Sequence, residues 1–319
     1  MKTETIAAVA TAMSNSGIGI IRISGEEAVE IADKIYRSKM NKKKLSGVKS
    51  HTIHYGFIYD GDELIDEVMV SVMLAPKTYT AENTVEINCH GGVLIMNRIL
   101  EVVIKNGARL AEPGEFTKRA FLNGKMSLAQ AEAVMDMISA SGSAAARATA
   151  AILDGASGKK IQEIKELLVY ASAMVTTFTD FPEEGEQEME NEQFFEKLQT
   201  AKRELEKLIE DYDKGKIIRE GVECVIVGKP NVGKSTIMNA LSRFDRSIVT
   251  AVAGTTRDIV EETIDIGGVT LNLCDTAGIH GSDDLVEKIG IEKALEKLQT
   301  AGLILAVVSA ENPIDDEDI

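Results

Sequence analysis

The chain contains no Trp, only five Pro and three Cys among 319 residues, and aromatics make up 4% of it. Cys89, Cys224 and Cys274 show no CxxC spacing, and an odd count in a chain this long argues against a disulfide framework. Cys224 and Cys274 fall inside apolar, strand-like runs and read as buried thiols. No apolar run approaches the roughly 20 residues that span a bilayer. The opening Met1-Lys2-Thr3-Glu4-Thr5 lacks the basic flank and apolar stretch of a signal peptide, so the expected location is the cytoplasm, without a membrane partner. Positive charge is also scarce: 35 Lys and Arg stand against 51 Asp and Glu. Residues 1–125 are nearly balanced, with 16 basic against 15 acidic side chains, and the remainder carries the whole deficit. Such a body repels nucleic acid, so an RNA contact needs a local basic patch or a partner. Lys42-Lys43-Lys44 could supply one, although a solvated loop is the plainer reading.

What is present falls into three textures. Up to about residue 120, strand signals (Ile18–Ile23, His51–Tyr59, Glu67–Leu74, Thr84–Cys89) mix with helices over Glu26–Tyr36 and Val93–Lys105. Ser127 and Gln130 then form a capping box before an apolar helical run. Ile161, Ile164, Leu168, Ala171, Val175 and Phe178 lie along one helical face, and Phe194, Leu198, Ala201, Leu205, Leu208 and Tyr212 along another. The last of these helices is expected to end near Lys214-Gly215, and the acidic stretch 182–192 to join the two. From Gly221 the pattern becomes strand, loop, helix: Val222–Val227, then Gly228–Ser235, then Thr236–Leu241. A hairpin is expected about Gly267-Gly268, a helix over Asp283–Leu298 and a strand over Leu303–Val308. The expected architecture is multidomain: an α+β domain over 1–120, an all-α domain over 121–215 and an incomplete α/β Ras-like P-loop domain over 216–319.

Gly228-Lys229-Pro230-Asn231-Val232-Gly233-Lys234-Ser235 satisfies G-x-x-x-x-G-K-[ST] between a strand and a helix, the context that gives the motif its meaning. Backbone N–H groups and the helix N-terminus offer a positive field to phosphate oxygens. Lys234 is expected on the β/γ-phosphates and Ser235 on Mg²⁺. Asp275-Thr276-Ala277-Gly278 follows 41 residues after Lys234, where an Asp can hold a metal-bound water and a Gly can offer its N–H to the γ-phosphate. Gly254-Thr255-Thr256-Arg257-Asp258 is a candidate switch loop, with Thr256 as the second protein ligand of Mg²⁺. Ile279 occupies the place where Ras-like enzymes put a water-orienting Gln, so Glu287 is the candidate for that role. No [NT]KxD segment follows the P-loop, so the preference for GTP rests on the combination of motifs.

These motifs stand in order behind a helical bundle and an α+β domain. Three further strings accompany them: Ile18–Gly25, Cys89-His90-Gly91-Gly92 and Pro113–Asn123. Together they make the chain resemble the MnmE (TrmE) family of bacterial tRNA-modification GTPases along essentially its whole length. The resemblance implies a GTP site of Asn231, Val232, Gly233, Lys234, Ser235, Thr236, Thr250, Ala251, Val252, Ala253, Gly254, Thr255, Thr256, Asp275, Thr276, Ala277 and Gly278. It implies a K⁺ ion at Asn231 completed by Thr250, Val252 and Thr255, with Glu287 catalytic. It implies a reduced folate, 5-formyl- or 5,10-methylene-tetrahydrofolate, on Arg22, Glu86 and Lys125. The implied assembly is a homodimer held by the N-terminal domains, joined to an FAD-dependent MnmG-type partner in a heterotetramer. That complex places an aminomethyl or carboxymethylaminomethyl group on C5 of the tRNA wobble uridine, with tRNA bound through the complex. The family pattern continues past Ile319 with a second helical segment and a Cys motif, so the chain is read as a C-terminally truncated member. A ribosome-assembly GTPase switch without modification chemistry is the rival reading, and it gives no reason for the Arg22, Glu86 and Lys125 set.

Overall fold

Period-two burial decides the N-terminal architecture. The computed structural model describes residues 4–39, 44–140, 142–180, 192–229, 232–241, 261–275, 299 and 301–310. The chain divides into two compact units, Met1–Ala131 and Glu132–Ile319, each taken by itself below. The first unit runs β1 (Ile6–Val9), β2 (Ser16–Ser24), α1 (Ala28–Ile35), β3 (Tyr36–Ser38), β4 (Thr52–Asp60), β5 (Glu63–Met73), β6 (Thr84–Gly91), α2 (Val93–Lys105), β7 (Arg109–Leu110) and α3 (Glu115–Leu122). Its seven strands form one sheet in the order β3-β4-β5-β6-β2-β1-β7, antiparallel except where β7 joins β1. Ile21 and Ile23 of β2, Val68, Val70 and Val72 of β5, and Val85 and Ile87 of β6 point to one face. There they pack with the apolar stripes of α1 and α2, including Ile31, Met96 and Ile99, in a single core. The alternate residues, Arg22, Ser71 and Glu86 among them, lie in register on the opposite face.

Several N-terminal elements differ from expectation in extent. The helix expected over Glu26–Tyr36 is observed as Ala28–Ile35, with Tyr36 turning into β3. The short edge strands β1 and β7 carry too few residues to show a period and were not anticipated. The capping box is present at α4 (Leu128–Ser139): Gln130 Oε1 accepts the Ser127 N–H at 2.8 Å, and Ser127 Oγ accepts the Gln130 N–H at 3.2 Å.

The second unit contains α5 (Ser143–Leu153), α6 (Ala156–Asp180), α7 (Glu192–Glu210) and α8 (Tyr212–Glu220). Ile164 and Ala171 of α6 and Phe194 and Ala201 of α7 are buried, as the helical spacing requires, and the two helices pack together. Ile161, Leu168 and Val175 of the same stripe remain exposed. The helical segment does not end at Lys214-Gly215: after a break at Asp211, α8 continues through Gly215 to Glu220. A helix tolerates an interior Gly at a cost of about 1 kcal/mol relative to Ala. It stops instead at Gly221, whose φ of 78° suits a residue without Cβ. The expected acidic connection, 182–192, lies outside the described residues apart from Glu192, which begins α7.

The remaining elements are β8 (Val222–Val227), α9 (Lys234–Leu241), β9 (Glu261–Ile266), β10 (Val269–Asp275) and β11 (Leu303–Ala306). They form a sheet ordered β11-β8-β10-β9, in which β8 runs parallel to β10 and β11 while β9 is antiparallel to β10. The hairpin turns where expected. Gly267 and Gly268, with φ of 65° and 95°, supply the two left-handed residues of a type I′ turn. Asp265 secures it: Oδ1 accepts the Gly268 N–H at 2.6 Å, and Oδ2 accepts the N–H of Ser143 at the start of α5 at 3.1 Å. Cys89, Cys224 and Cys274 are buried free thiols. The helix expected over Asp283–Leu298 lies outside the described residues.

Candidate functional site

In the second unit, the nucleotide-binding motif is built on the C-terminal end of β8. Gly228 leaves the strand with a φ of 149°, and a Cβ at this position would lie 2.2 Å from the Val307 carbonyl oxygen. Val307 donates its N–H to the Val227 carbonyl at 2.8 Å, which holds the chain after β11 against the start of the loop. The helix begins at Lys234, two residues earlier than the expected Thr236. Lys234, Ser235 and Thr236 are therefore its first turn, with Thr236 and Ile237 donating to the Gly233 carbonyl at 3.1 and 3.0 Å. Lys234 is buried, and its ammonium donates to the carbonyls of Gly228 at 2.6 Å and Lys229 at 2.8 Å. Val232 packs against the sheet core, whereas Ser235 and Thr236 are exposed.

Asp275 closes β10 beside Ile226, so it stands at the same edge of the parallel strands as the loop. Ligands of open α/β sheets bind outside that edge. Phosphate chemistry fits the residues present. A buried ammonium, held among the described residues by two neutral carbonyls, lies at a helix N-terminus whose first N–H groups have no intrahelical partner. Asn231, Thr250, Ala251, Val252, Ala253, Gly254, Thr255, Thr256, Thr276, Ala277, Gly278 and Glu287 lie outside the described residues, and the side chain of Asp275 is likewise not described.

The first unit holds a separate cluster on the outer face of its sheet. Arg22 on β2 and Glu86 on β6 are register partners, and Arg22 Nε donates to Glu86 Oε1 at 2.7 Å. Both side chains are partly exposed, at 30% and 22%. Two aromatic rings lie near the guanidinium: the centroids of Tyr79 and Phe116 are each 5.7 Å from Arg22 Cζ. Lys125, the third residue expected here, follows α3 with an exposed side chain and is not part of the Arg22–Glu86 pair. These two rings were not anticipated, because Tyr79 sits in an irregular segment and Phe116 on a short helix, so no sequence period connects either with Arg22.

A buried ion network fixes α3 and the segment before β6. Arg119 donates to Glu82 Oε2 at 3.2 Å and to Glu115 Oε1 at 2.9 Å. Arg109 forks onto both oxygens of Glu115 at 2.7 and 3.1 Å. Ser24 donates to Glu82 Oε2 at 2.8 Å. The Arg109 guanidinium holds the Glu115 carboxyl down to about 2, helped by the Glu112 backbone N–H and by Arg119 and opposed by burial.

A carboxyl lowered in this way stabilises the fold fully above its unfolded value of about 4.3. That contribution is lost as pH falls through the folded value. The difference in thermal midpoint between wild type and Glu115→Gln is therefore expected to be constant near neutral pH and to close between about pH 4.5 and 2. Circular dichroism melts across that range check it, and a gap that widens on acidification would contradict the assignment.

A parallel β8/β10/β11 sheet carrying a glycine-rich loop into a buried lysine at a helix N-terminus defines a P-loop nucleotide-binding protein. Residues 5–125 match the family described as the GTP-binding protein TrmE N-terminus, and residues 128–316 match the MnmE helical domain. Among curated proteins, the tRNA modification GTPase MnmE of Lachnoclostridium phytofermentans is 46% identical over 318 residues, covering 100% of this chain and 69% of that protein. The MnmE proteins of Geobacillus thermodenitrificans and Alkaliphilus oremlandii are 49% and 50% identical, each covering 99% of the chain and 69% of the relative. The chain belongs to the MnmE family. The stretch that matches the helical domain includes the P-loop residues. No helix among the described residues is long and apolar enough to cross a membrane.

Proposed function

We propose that the protein is a Mg²⁺-dependent GTP hydrolase of tRNA modification, and that its N-terminal unit carries a reduced folate. The observation that carries the hydrolase reading is Lys234, buried and, among the described residues, donating to the carbonyls of Gly228 and Lys229. Phosphate oxygens at the start of α9 offer that ammonium stronger, charge-assisted partners than neutral carbonyls do. Ser235 and Thr256 ligate Mg²⁺ in this reading. Asn231, with Thr250, Val252 and Thr255, holds K⁺, and Glu287 orients the attacking water in place of Ile279. Residues 1–120 form the folate-binding and dimerisation domain, the stretch from 121 to the end of α8 at Glu220 the first part of the helical domain, and the remainder to 319 the GTP-binding domain.

The folate reading is supported by Arg22 and Glu86 meeting on the outer face, where a carboxylate and a cation suit the N–H edge of a pterin and its anionic tail. The homodimer is supported by the same face, because Ile53, Tyr55 and Met69 of β4 and β5 are exposed on it. The partner is an FAD-dependent MnmG-type protein, with which the dimer modifies C5 of the wobble uridine. The strongly acidic remainder of the chain, beyond residue 125, leaves most of the tRNA affinity to that partner.

The test is GTP hydrolysis in KCl against NaCl at equal ionic strength. A cation that replaces an arginine finger supplies about 10³-fold or more in rate. A K⁺-specific rate of that order is expected, lost on Asn231→Ala or Glu287→Ala. Equal rates in the two salts would remove the K⁺ site and favour a simple GTPase switch.

A further inference from the structure

We propose that the β3–β4 edge of the N-terminal sheet is a platform for unpaired nucleotides of RNA, built from the rings of Phe57 and Tyr59 and the cations of Arg37 and Lys39; this rests on the reading that the protein acts on tRNA. The chain carries a net charge of −16, yet residues 34–59 hold seven Lys and Arg and no Asp or Glu. Tyr55, Phe57 and Tyr59 alternate along β4, and cations from the β3 edge lie over all three. Arg37 pairs in register with Phe57, and its Cζ is 4.0 Å from the Tyr59 ring centroid. Lys39 donates its backbone N–H to the Tyr55 carbonyl, and its Nζ is 4.7 Å from the Tyr55 centroid and 5.4 Å from that of Phe57. Phe57 and Tyr59 are half-buried, and Arg37 and Lys39 are exposed.

Rings interleaved with cations suit single-stranded RNA, because bases stack on aromatic faces while phosphates meet the charges. A duplex keeps its base faces within its own stack, and an acidic peptide has none to offer. The cations are held by weak partners: Arg37 donates to the Gly61 carbonyl at 2.6 Å and to Asp62 at 3.3 Å, and Lys39 donates to Glu67 at 2.7 Å. Exposed ion pairs of this kind contribute little and yield to a phosphate. A base then takes the ring face as the cation turns to the phosphate beside it. The backbone is anchored beneath, since Asp33 accepts the Ser46 N–H at 2.9 Å just beyond the exposed Lys44. Tyr55, tied through its hydroxyl to Lys39 and Glu67, borders the exposed Ile53 and Met69 assigned to the dimer. The two surfaces therefore adjoin without sharing Phe57 or Tyr59.

Fluorescence anisotropy of the whole chain with a labelled, unstructured oligoribonucleotide of about 12 nucleotides tests this, beside the same strand annealed to its complement. The single strand is expected to bind at low salt, and the duplex about tenfold more weakly. Phe57→Leu and Tyr59→Leu should each weaken the single strand by about tenfold, whereas Tyr59→Phe keeps the ring and should stay within about threefold of wild type. Thermal midpoints serve as the control, and if Phe57→Leu lowers its midpoint the two Tyr59 variants decide. Arg37→Gln combined with Lys39→Gln should reduce the slope of log K against log salt by about 1.4, the share of two phosphates on a single strand. Wild-type affinity in the Leu variants would overturn the platform and move RNA binding elsewhere on the chain. Equal binding of the duplex, or displacement by polyglutamate as effective as by unlabelled RNA, would also overturn it, because the surface would then attract any polyanion. If wild type binds no single strand, the platform falls and tRNA is left wholly to the partner. The tRNA reading itself fails only if the complex leaves C5 of the wobble uridine unmodified.

Discussion

Lys234→Ala is expected to slow GTP hydrolysis by about 10³-fold at saturating nucleotide, close to 4 kcal/mol of transition-state stabilisation. The size follows from where the ammonium sits. It is buried at the first turn of α9 and held by two neutral carbonyls, so its charge is screened by solvent less than that of an exposed lysine. An alanine leaves the Gly228 and Lys229 carbonyls without that donor as well. The resulting loss of stability is about 1 kcal/mol, too small to unfold the sheet. Single-turnover phosphate release, with circular dichroism as a control for folding, separates the two effects. A rate within a few-fold of wild type, with the fold intact, would remove Lys234 from the reaction.

The second large effect is on stability. Arg119→Ala is expected to destabilise the N-terminal unit by about 3–5 kcal/mol, because it strips a partner from Glu82 and Glu115 at once while both carboxylates stay buried. For a unit of this size the thermal midpoint should fall by about 10 °C or more. Arg98→Ala provides the contrast. Arg98 pairs with Asp60 and Glu63 at the surface, and Lys105 still serves Asp60 when Arg98 is gone, so a change under about 1 kcal/mol is expected. Similar midpoints for the two variants would mean that the Arg119 network is solvated in practice.

Features legible in the sequence were those whose signal is local. The S-x-x-Q box at Ser127, the paired glycines at 267 and 268, and the apolar run of β8 each specify their own geometry within a few residues. The P-loop was legible for the same reason, although its helix starts two residues sooner because the loop's own glycine carbonyl accepts the first bonds. Arg22 and Glu86 are 64 residues apart, and only the β2/β6 register makes them neighbours. Without the family resemblance they read as ordinary strand residues. The contacts of Tyr79, Glu82 and Arg119 were beyond reach, since they depend on how an irregular segment meets a short helix. Gly215 misled because a helix-weakening residue was given the force of a terminator, a role that Gly221 fills with its positive φ.

The carboxylate of Asp265 has a mechanical consequence. In sequence, β9 follows Gly254–Asp258 and β10 runs directly into Asp275–Gly278, so the hairpin is the span between the two segments assigned to sensing the γ-phosphate. Its tip is tethered by two hydrogen bonds on a single side chain, one to its own turn and one to the leading N–H of α5. Sliding the hairpin against α5 by one residue is a shift of about 3.3 Å, more than the Ser143 bond can stretch, while the Gly268 bond moves with the turn and keeps the carboxylate aimed. Displacing the turn therefore either carries the first residue of α5 along or breaks that bond, so the position of the turn and the start of α5 are set together by one carboxylate.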